Sequence, residues 1–287
     1  MTLKRKAETL LEDIVVPEKL LNFVELHMNN FNCGAHDAAH VHRVANLSRI
    51  IAAEEGANQT IAYIAGLVHD MLDSKLIDET NAATAEETLL NIFKNDMITT
   101  LPNWTDTMTE QVIEICKTVG YKNIIKENWN PKNRSIEYRC VQDADLLDAI
   151  GAIGVARCFA FGGKRQRLMF GCADVIGNTI TAEQYKNQSS KKGSGVEHFF
   201  DKLLLIKDLM TTTTGTIMAV KRHNTMLEFL KDLNIELVDG DINNNTKFQN
   251  NETYNVEEKS LFGTLLEQYP IVSQAQLEQQ QQPAEAS

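Results

Sequence analysis

The sequence predicts an all-α protein. Apolar residues recur every three or four positions along most of the chain, and no stretch shows the strict alternation that is typical of a half-buried strand. The apolar fraction of 43% in 287 residues is sufficient to bury the core of an enzyme-sized domain. We expect this domain to occupy residues 1–238, followed by an Asn/Gln-rich tail over residues 239–287 that is mostly disordered.

The predicted helices are each marked by an apolar face, and Pro17 suits the start of the first one. In chain order, the faces are Leu20, Leu21, Val24 and Met28; Val44, Leu47, Ile50 and Ile51; Ile61, Ile64, Ala65 and Val68; Val112, Ile113 and Cys116; Leu203, Ile206 and Met210; and Met226, Leu227 and Leu230. Two loops are predicted between helices, over residues 121–134 and 160–171, and the second contains the pair Gly162-Gly163.

Charge and composition exclude several classes of protein. A net charge of −11 argues against a stable nucleic-acid partner, because phosphate-backbone binding needs concentrated positive charge. We expect no secretion signal and no membrane partner, since no apolar run is long enough to cross a bilayer. The five cysteines form no CxxC pair and are odd in number, which suits reduced thiols. Together with the Asn/Gln-rich tail, these features predict a cytoplasmic protein, with the nucleus as the alternative.

Scattered metal-binding side chains suggest the chemistry. His40, the pair His69-Asp70, and either Asp143 or Asp145 lie on separate predicted helices. Two imidazoles and two carboxylates suit a borderline or hard divalent ion. Asp70 ends an apolar helix, where an unpaired buried carboxylate is costly and a bound cation offsets that cost. No His occurs between Asp70 and Asp145, so one metal ion is predicted rather than two.

The order of these segments adds a family resemblance over about residues 17–233. The chain contains DAAHVHRV from Asp37, HDMLDSK from His69, VQDADLLDAIGAIG from Val141 and FGGKR from Phe161. In this order, the segments resemble the HD-domain metal-dependent phosphohydrolases, whose name comes from the His-Asp pair. The resemblance implies an HD-domain helical bundle, and its closest branch contains bacterial and fungal nucleotide pyrophosphohydrolases.

The resemblance also assigns roles to residues. It places the metal ligands at His40, His69, Asp70 and Asp145, and Asp143 then lies behind the ligands or caps a helix. The ion is expected to be Mn²⁺, with Mg²⁺, Co²⁺, Ni²⁺ or Fe²⁺ as alternatives. Asp73 matches an acidic position that would orient or deprotonate the attacking water, unless it is simply a turn residue that ends a helix. Helix spacing, rather than the resemblance, singles out Asp148, which lies one turn beyond Asp145 and would orient water or substrate, unless it is simply an exposed helix carboxylate.

Phosphoryl transfer also requires positive charge around the phosphate groups. The candidate phosphate-binding residues are Arg43, Lys75, Lys164, Arg165 and Arg167, and the last three adjoin Gly162-Gly163, whose backbone could approach a ligand closely. The expected substrate is a small phosphorylated molecule, foremost a (deoxy)nucleoside triphosphate cleaved to monophosphate and pyrophosphate. Two alternatives remain open: a 5'-nucleotidase-type phosphomonoesterase, and a non-catalytic nucleotide sensor that signals through its tail.

Overall fold

A computed structural model describes residues 14–29, 37–72, 79–125, 129–169, 193–239, 266–269 and 271–272. Most of these residues are helical and none of them forms a strand, which confirms the all-α prediction. The elements in chain order are α1 (Glu18–Asn29), α2 (Ala38–Glu55), α3 (Gln59–Val68), α4 (Glu79–Ile92), a π-helical turn (Phe93–Met97), α5 (Ile98–Thr100), α6 (Asp106–Thr118), α7 (Tyr121–Ile124), a 3₁₀ turn (Pro131–Asn133), α8 (Ile136–Asp148), α9 (Gly151–Lys164), α10 (Gly195–Asp201), a second 3₁₀ segment (Leu203–Leu209) and α11 (Thr213–Asp239).

Local sequence explains where the central helices begin and end. Asp37 caps α2 by accepting a hydrogen bond from the backbone N–H of His40 at 2.8 Å, and Asn58 and Ser135 cap α3 and α8 in the same way. Helix α2 ends at Gly56, whose φ of 70° is the left-handed conformation that glycine adopts without strain. These caps fix the ends of the helices that carry the predicted metal ligands.

Helices α2, α3 and α8 pack against one another at the centre of the molecule, between two apolar clusters. One cluster contains Val41 and Ala45 of α2 with residues of α1, α3, α4 and α6. The other contains Val44 and Ile51 of α2 with residues of α8, α10 and α11. Both faces of α2 are therefore buried. Because buried helices of this kind are closely packed, side chains at the ends of α2, α3 and α8 are held in fixed positions.

Gly66 sets how closely α3 approaches α2. A Cβ atom at this position would lie 2.8 Å from Ser48 Oγ and 2.9 Å from the Cα of Ala45, both on α2. Such separations are shorter than a normal van der Waals contact, so glycine is required for this helix spacing. The contact lies one turn before His69, which follows the end of α3.

The loop predicted over residues 160–171 is wrong in its first part, because residues 160–164 belong to α9; residues 165–169 follow the helix, and residues 170–171 lie outside the described ranges. Both glycines belong to the last turn of α9, which continues to Lys164. The apolar face of α9 packs against α11, through Val155, Cys158 and Phe159 in the same cluster as Phe229, and this packing outweighs the low helix propensity of glycine. Helices α8 and α9 meet at an angle of 65° around Gly151, whose φ is 75°.

No single helix in the described ranges is long and apolar enough to span a bilayer, and the bent pair α8–α9 meets that criterion by length and composition only. Three cysteines, Cys116, Cys140 and Cys158, are buried free thiols, as expected; Cys33 and Cys172 lie outside the described residues. The predicted disorder of the tail also falls mostly on residues outside the described ranges. Within the tail, residues 266–269 and 271–272 are described and lie against the domain.

Candidate active site

The predicted metal-binding residues come together at one edge of the central layer. His40 lies in the first turn of α2, His69 and Asp70 follow α3, and Asp145 is on α8. Nε2 of His40 lies 3.4 Å from Asp70 Oδ2 and 3.7 Å from Asp145 Oδ1. Nε2 of His69 lies 3.3 Å from Asp70 Oδ1 and 3.6 Å from the same oxygen of Asp145. Four side chains from three helices thus surround one point.

These separations fit a shared divalent ion better than they fit direct hydrogen bonds. Two ligand atoms bound to one ion at about 2.1 Å are about 3.0 Å apart at an octahedral angle and about 3.4 Å apart at a tetrahedral one. The donor atoms of His40, His69 and Asp145 all lie within 4.8 Å of one another. In addition, the buried Nε2 of His69 has no hydrogen-bond partner among the described residues. The residues present therefore fit a metal ion.

Both imidazoles are oriented through their other ring nitrogen. Nδ1 of His69 donates to the backbone carbonyl of Gly66 at 2.8 Å, and Nδ1 of His40 donates to Asp148 Oδ2 at 2.7 Å. In the neutral ring, this arrangement leaves the lone pair on Nε2, which is the atom that faces the carboxylates. Histidines that bind metals are commonly held in this way by a carbonyl or a carboxylate.

The electrostatics of the site also favour a cation. Burial acts to lower the pKa of His69, but the charges of Asp70 and Asp145 outweigh it and raise that pKa to about 9. Burial acts to raise the pKa of Asp145, but the contact with His69 and the nearby His40 lower it. Two carboxylates therefore hold a positive charge at this point, as a proton on His69 when no ion is bound.

The choice between Asp143 and Asp145 is clear from their surroundings. Asp143 is fully buried and accepts five hydrogen bonds from the backbone N–H groups and hydroxyls of Thr211 and Thr212, which precede α11. It therefore anchors the start of α11, in agreement with the alternative in which it lies behind the ligands. Asp145, two residues later, points to the opposite side of α8 and faces both imidazoles.

Asp148 is fully buried, so the alternative of an exposed helix carboxylate is wrong. Its Oδ1 accepts from Arg43 Nε at 2.7 Å. Its Oδ2 accepts from His40 at 2.7 Å, from Arg43 Nη2 at 3.0 Å and from Arg157 Nη1 at 2.8 Å. Burial acts to raise the pKa of Asp148, but the hydrogen bonds from His40 and Arg43 bring it well below its ordinary value. Asp148 thus contacts a metal-site histidine and two arginines at once.

Arg43 is near the site as predicted, and sequence reasoning missed two further arginines. Arg157 of α9 also donates to the backbone carbonyl of Asp148 at 3.1 Å, and Arg222 of α11 donates to the carbonyl of Leu147. Arg157 could have been found, because it is the single charged residue in the run 149–163. Burial lowers the pKa of His27 on α1, and the charge of Asp70 opposes this lowering.

The remaining predicted residues are not at this point or are not described. Lys164 and Arg165 stand at the far end of α9, seven or eight residues beyond Arg157, which is about 10 to 12 Å along a helix axis. The guanidinium groups of Arg165 and Arg167 lie over the ring of Phe161. Asp73 and Lys75 lie outside the described residues.

An all-α domain in which two imidazoles and two carboxylates surround one point is typical of a class of metal-dependent hydrolases. Comparisons with known proteins identify the family. The family model described as HD domain matches residues 37–150. YpgQ of Bacillus subtilis is 32% identical over 227 residues, which cover 78% of this chain and 94% of YpgQ. The chain belongs to the HD-domain family and is a metal-dependent phosphohydrolase.

Solved structures show the same relationship. A Lactobacillus plantarum protein shares 28% identity with a TM-score of 0.59, covering 78% of this chain and 100% of that one. The complex of Bacillus subtilis YpgQ with ADP shares 30% identity with a TM-score of 0.55, covering 76% and 96%. An HD-superfamily hydrolase from Bacillus thuringiensis shares 27% identity with a TM-score of 0.54, covering 83% and 100%.

Proposed function

We propose that this phosphohydrolase cleaves (deoxy)nucleoside triphosphates to monophosphate and pyrophosphate. The observation that carries the proposal is the position of the Asp148–arginine cluster beside the metal-binding residues. The negative charges of Asp70 and Asp145 balance a divalent ion, whereas Arg43 and Arg157 exceed the charge of Asp148 by one. Arg222, which donates to the carbonyl of Leu147 next to Asp148, adds a further positive charge. The site thus has a surplus of positive charge that suits a polyphosphate.

The substrate class has independent support. The related YpgQ structure contains ADP, a nucleotide with a diphosphate chain. A nucleoside triphosphate has one more phosphate and one or more further negative charges, which the positive charges of Arg43 and Arg157 would balance. On this ground, we favour a nucleotide over other phosphate esters.

His40, His69, Asp70 and Asp145 would hold the metal ion, and their mixture of imidazole and carboxylate suits manganese or another borderline divalent ion. When bound, such an ion supplies a water of lowered pKa and a Lewis acid for a phosphate oxygen. Asp148 holds His40 in the tautomer that binds metal, and it keeps two guanidinium groups in place. Asp73, which follows the His-Asp pair closely in sequence, would accept the proton of the attacking water.

Arg43 and Arg157 would bind and orient the phosphate chain. The side chain of Arg43 is one-third exposed and that of Arg157 is 15% exposed, although both contact a fully buried carboxylate. Each guanidinium group is fixed by its contact with Asp148 before substrate arrives. We therefore assign the phosphate contacts to this pair and to Lys75, rather than to Lys164, Arg165 and Arg167 at the far end of α9.

The test is a product analysis. Metal-stripped protein is supplied with Mn²⁺ or Mg²⁺ and a panel of nucleoside tri-, di- and monophosphates, and pyrophosphate and phosphate release are measured separately. Pyrophosphate together with a monophosphate supports the proposal. Phosphate released from monophosphates would instead identify a 5'-nucleotidase-type phosphomonoesterase. Nucleotide binding without turnover, seen as a thermal shift alone, would indicate a sensor.

A further inference from the structure

The described part of the tail makes specific contacts with the catalytic domain. We define the C-terminal segment as residues 266–269 and 271–272. Leu266 is 6% exposed and belongs to the same apolar cluster as Phe199 and Leu204. A hydrogen bond from the N–H of Tyr269 to the carbonyl of Leu266, at 3.0 Å, closes a turn that places both side chains on the domain. The segment is thus anchored by an aliphatic and an aromatic side chain.

The aromatic anchor lies between α10 and α11. The ring of Tyr269 is 6.3 Å from that of Phe200 and 6.3 Å from that of His223, measured between centroids. Burial, aided by the charge of Asp208, raises the pKa of the Tyr269 hydroxyl. Tyrosine suits such an anchor, because it contributes a large apolar area while its hydroxyl can remain near water.

The backbone of the segment is also recognised. The side-chain amide of Asn224 donates to the carbonyl of Val272 at 2.7 Å, and its oxygen accepts from the N–H of Val272 at 3.2 Å. One asparagine thus satisfies both hydrogen-bonding groups of a single residue, as a neighbouring strand would. These two hydrogen bonds form only when the segment lies at one position along α11, whereas apolar contacts alone would allow several positions.

We propose that the C-terminal segment is an intramolecular ligand of a docking site formed by Phe200 of α10 with His223 and Asn224 of α11. The chain between Asp239 and Leu266 comprises 26 residues, 240–265, which can extend to about 90 Å. The return distance from the end of α11 to Asn224 is 15 residues of helix, or about 22 Å. The segment can therefore reach the site within its own chain.

The docking site is connected to the catalytic centre through α11. Arg222 immediately precedes His223, and it donates to the carbonyl of Leu147, next to Asp148. Gly151, at the corner of α8 and α9, would place a Cβ atom 3.0 Å from the Cβ of Arg222. The same turn of α11 thus contacts the C-terminal segment and the α8–α9 corner.

The test is amide hydrogen exchange on the full chain. In the wild-type protein, the amide of Val272 should be protected, and Asn224→Ala and Tyr269→Ala should each accelerate its exchange at least about tenfold, a change of about 1.4 kcal/mol. Exchange within α8 should remain unchanged and so report an intact fold. Glu228→Ala, an exposed position one turn further along α11, is the matched control and should leave Val272 protected.

A peptide supplies the second arm. A synthetic peptide spanning residues 263–275 should bind the full-length Tyr269→Ala protein, whose own segment is weakened, more tightly than it binds wild-type protein, whose site is filled. The same peptide carrying the Tyr269→Ala substitution should bind neither the variant protein nor the wild-type protein. Unprotected Val272 in wild-type protein, or protection unaffected by Asn224→Ala and Tyr269→Ala, would refute the proposal. Protection that disappears on dilution would place the segment on a second copy and would also refute it.

Discussion

Asp148 Oδ2 and His40 Nδ1 are 2.7 Å apart, and the same carboxylate holds Arg43 and Arg157. Metal geometry and positive charge are therefore coupled through a single buried residue. We expect Asp148→Asn to lower metal affinity about 10- to 100-fold, because His40 loses its charged acceptor. Metal titration followed by calorimetry measures this. Unchanged affinity would show that His40 is held by other contacts.

Arg157→Gln should raise the KM for a nucleoside triphosphate about 10- to 100-fold, since a charged hydrogen bond contributes about 1.5–3 kcal/mol. Metal affinity should change little, because Arg157 contacts Asp148, which is not itself one of the proposed metal ligands. Arg157→Lys should restore part of the loss. Arg165→Gln, at the far end of α9, is the control. An unaltered KM with lowered thermal stability would restrict Arg157 to a structural role.

Asp70→Ala should reduce turnover by at least about 1000-fold, or about 4 kcal/mol, and should abolish metal retention. The reason is that Asp70 places one oxygen near each imidazole, at 3.3 and 3.4 Å. Metal content after gel filtration and initial rates provide the measurement. The exposed carboxylate variant Glu110→Ala should behave as wild type. Full activity of Asp70→Ala would refute the metal assignment.

Asp73→Asn separates the proposed base from the ligands. An amide cannot accept the proton of water, so turnover should fall about 100-fold or more while the metal is retained. The comparison of interest is with Asp70→Ala, in which both properties are lost. If Asp73→Asn also loses its metal, Asp73 is a ligand and the proposed division of roles is wrong.

The pKa of His69 predicts how pH affects the metal-free protein. Its value of about 9 lies above the ordinary 6.5, so protonation stabilises the folded state. That contribution is complete below about pH 6.5 and is lost as pH rises through 9. The melting temperature of metal-free protein should therefore fall over this range more steeply than that of His69→Gln. Metal binding near pH 7.5 should release about one proton, measurable in buffers of different ionisation enthalpy.

The helices and the metal ligands could be predicted from the sequence for physical reasons. Apolar periodicity marks the buried faces, and His40, His69 and Asp70 stand at the ends of strongly patterned helices. The metal ligand could not be chosen between Asp143 and Asp145 by residue type, because both are aspartates on the same helix. They lie on different faces of that helix, and the sequence does not show which face is turned towards the histidines. Only the packing of α8 against α11 determines which of the two anchors the Thr211–Thr212 turn.

Local signals failed where tertiary packing decided the conformation. Gly162-Gly163 suggests a loop, yet the packing of Val155, Cys158 and Phe159 against the apolar cluster keeps α9 helical through both glycines. Arg222 carries no local signal, because its partner, the carbonyl of Leu147, is 75 positions away in sequence. Long-range pairs of this kind follow from the arrangement of helices and not from any window of residues.

The close backbone contact at Gly66 sets the distance between the two histidines of the active site. His69 follows Gly66 by three residues, just after the end of α3, and His40 precedes Ala45 by five residues on α2. The distance between the two imidazoles therefore depends on the contact between Gly66 and Ala45. A single methyl group at position 66 would push α3 away from α2 and so separate His69 from His40, which makes the geometry of the metal site depend on the absence of one side chain beneath it.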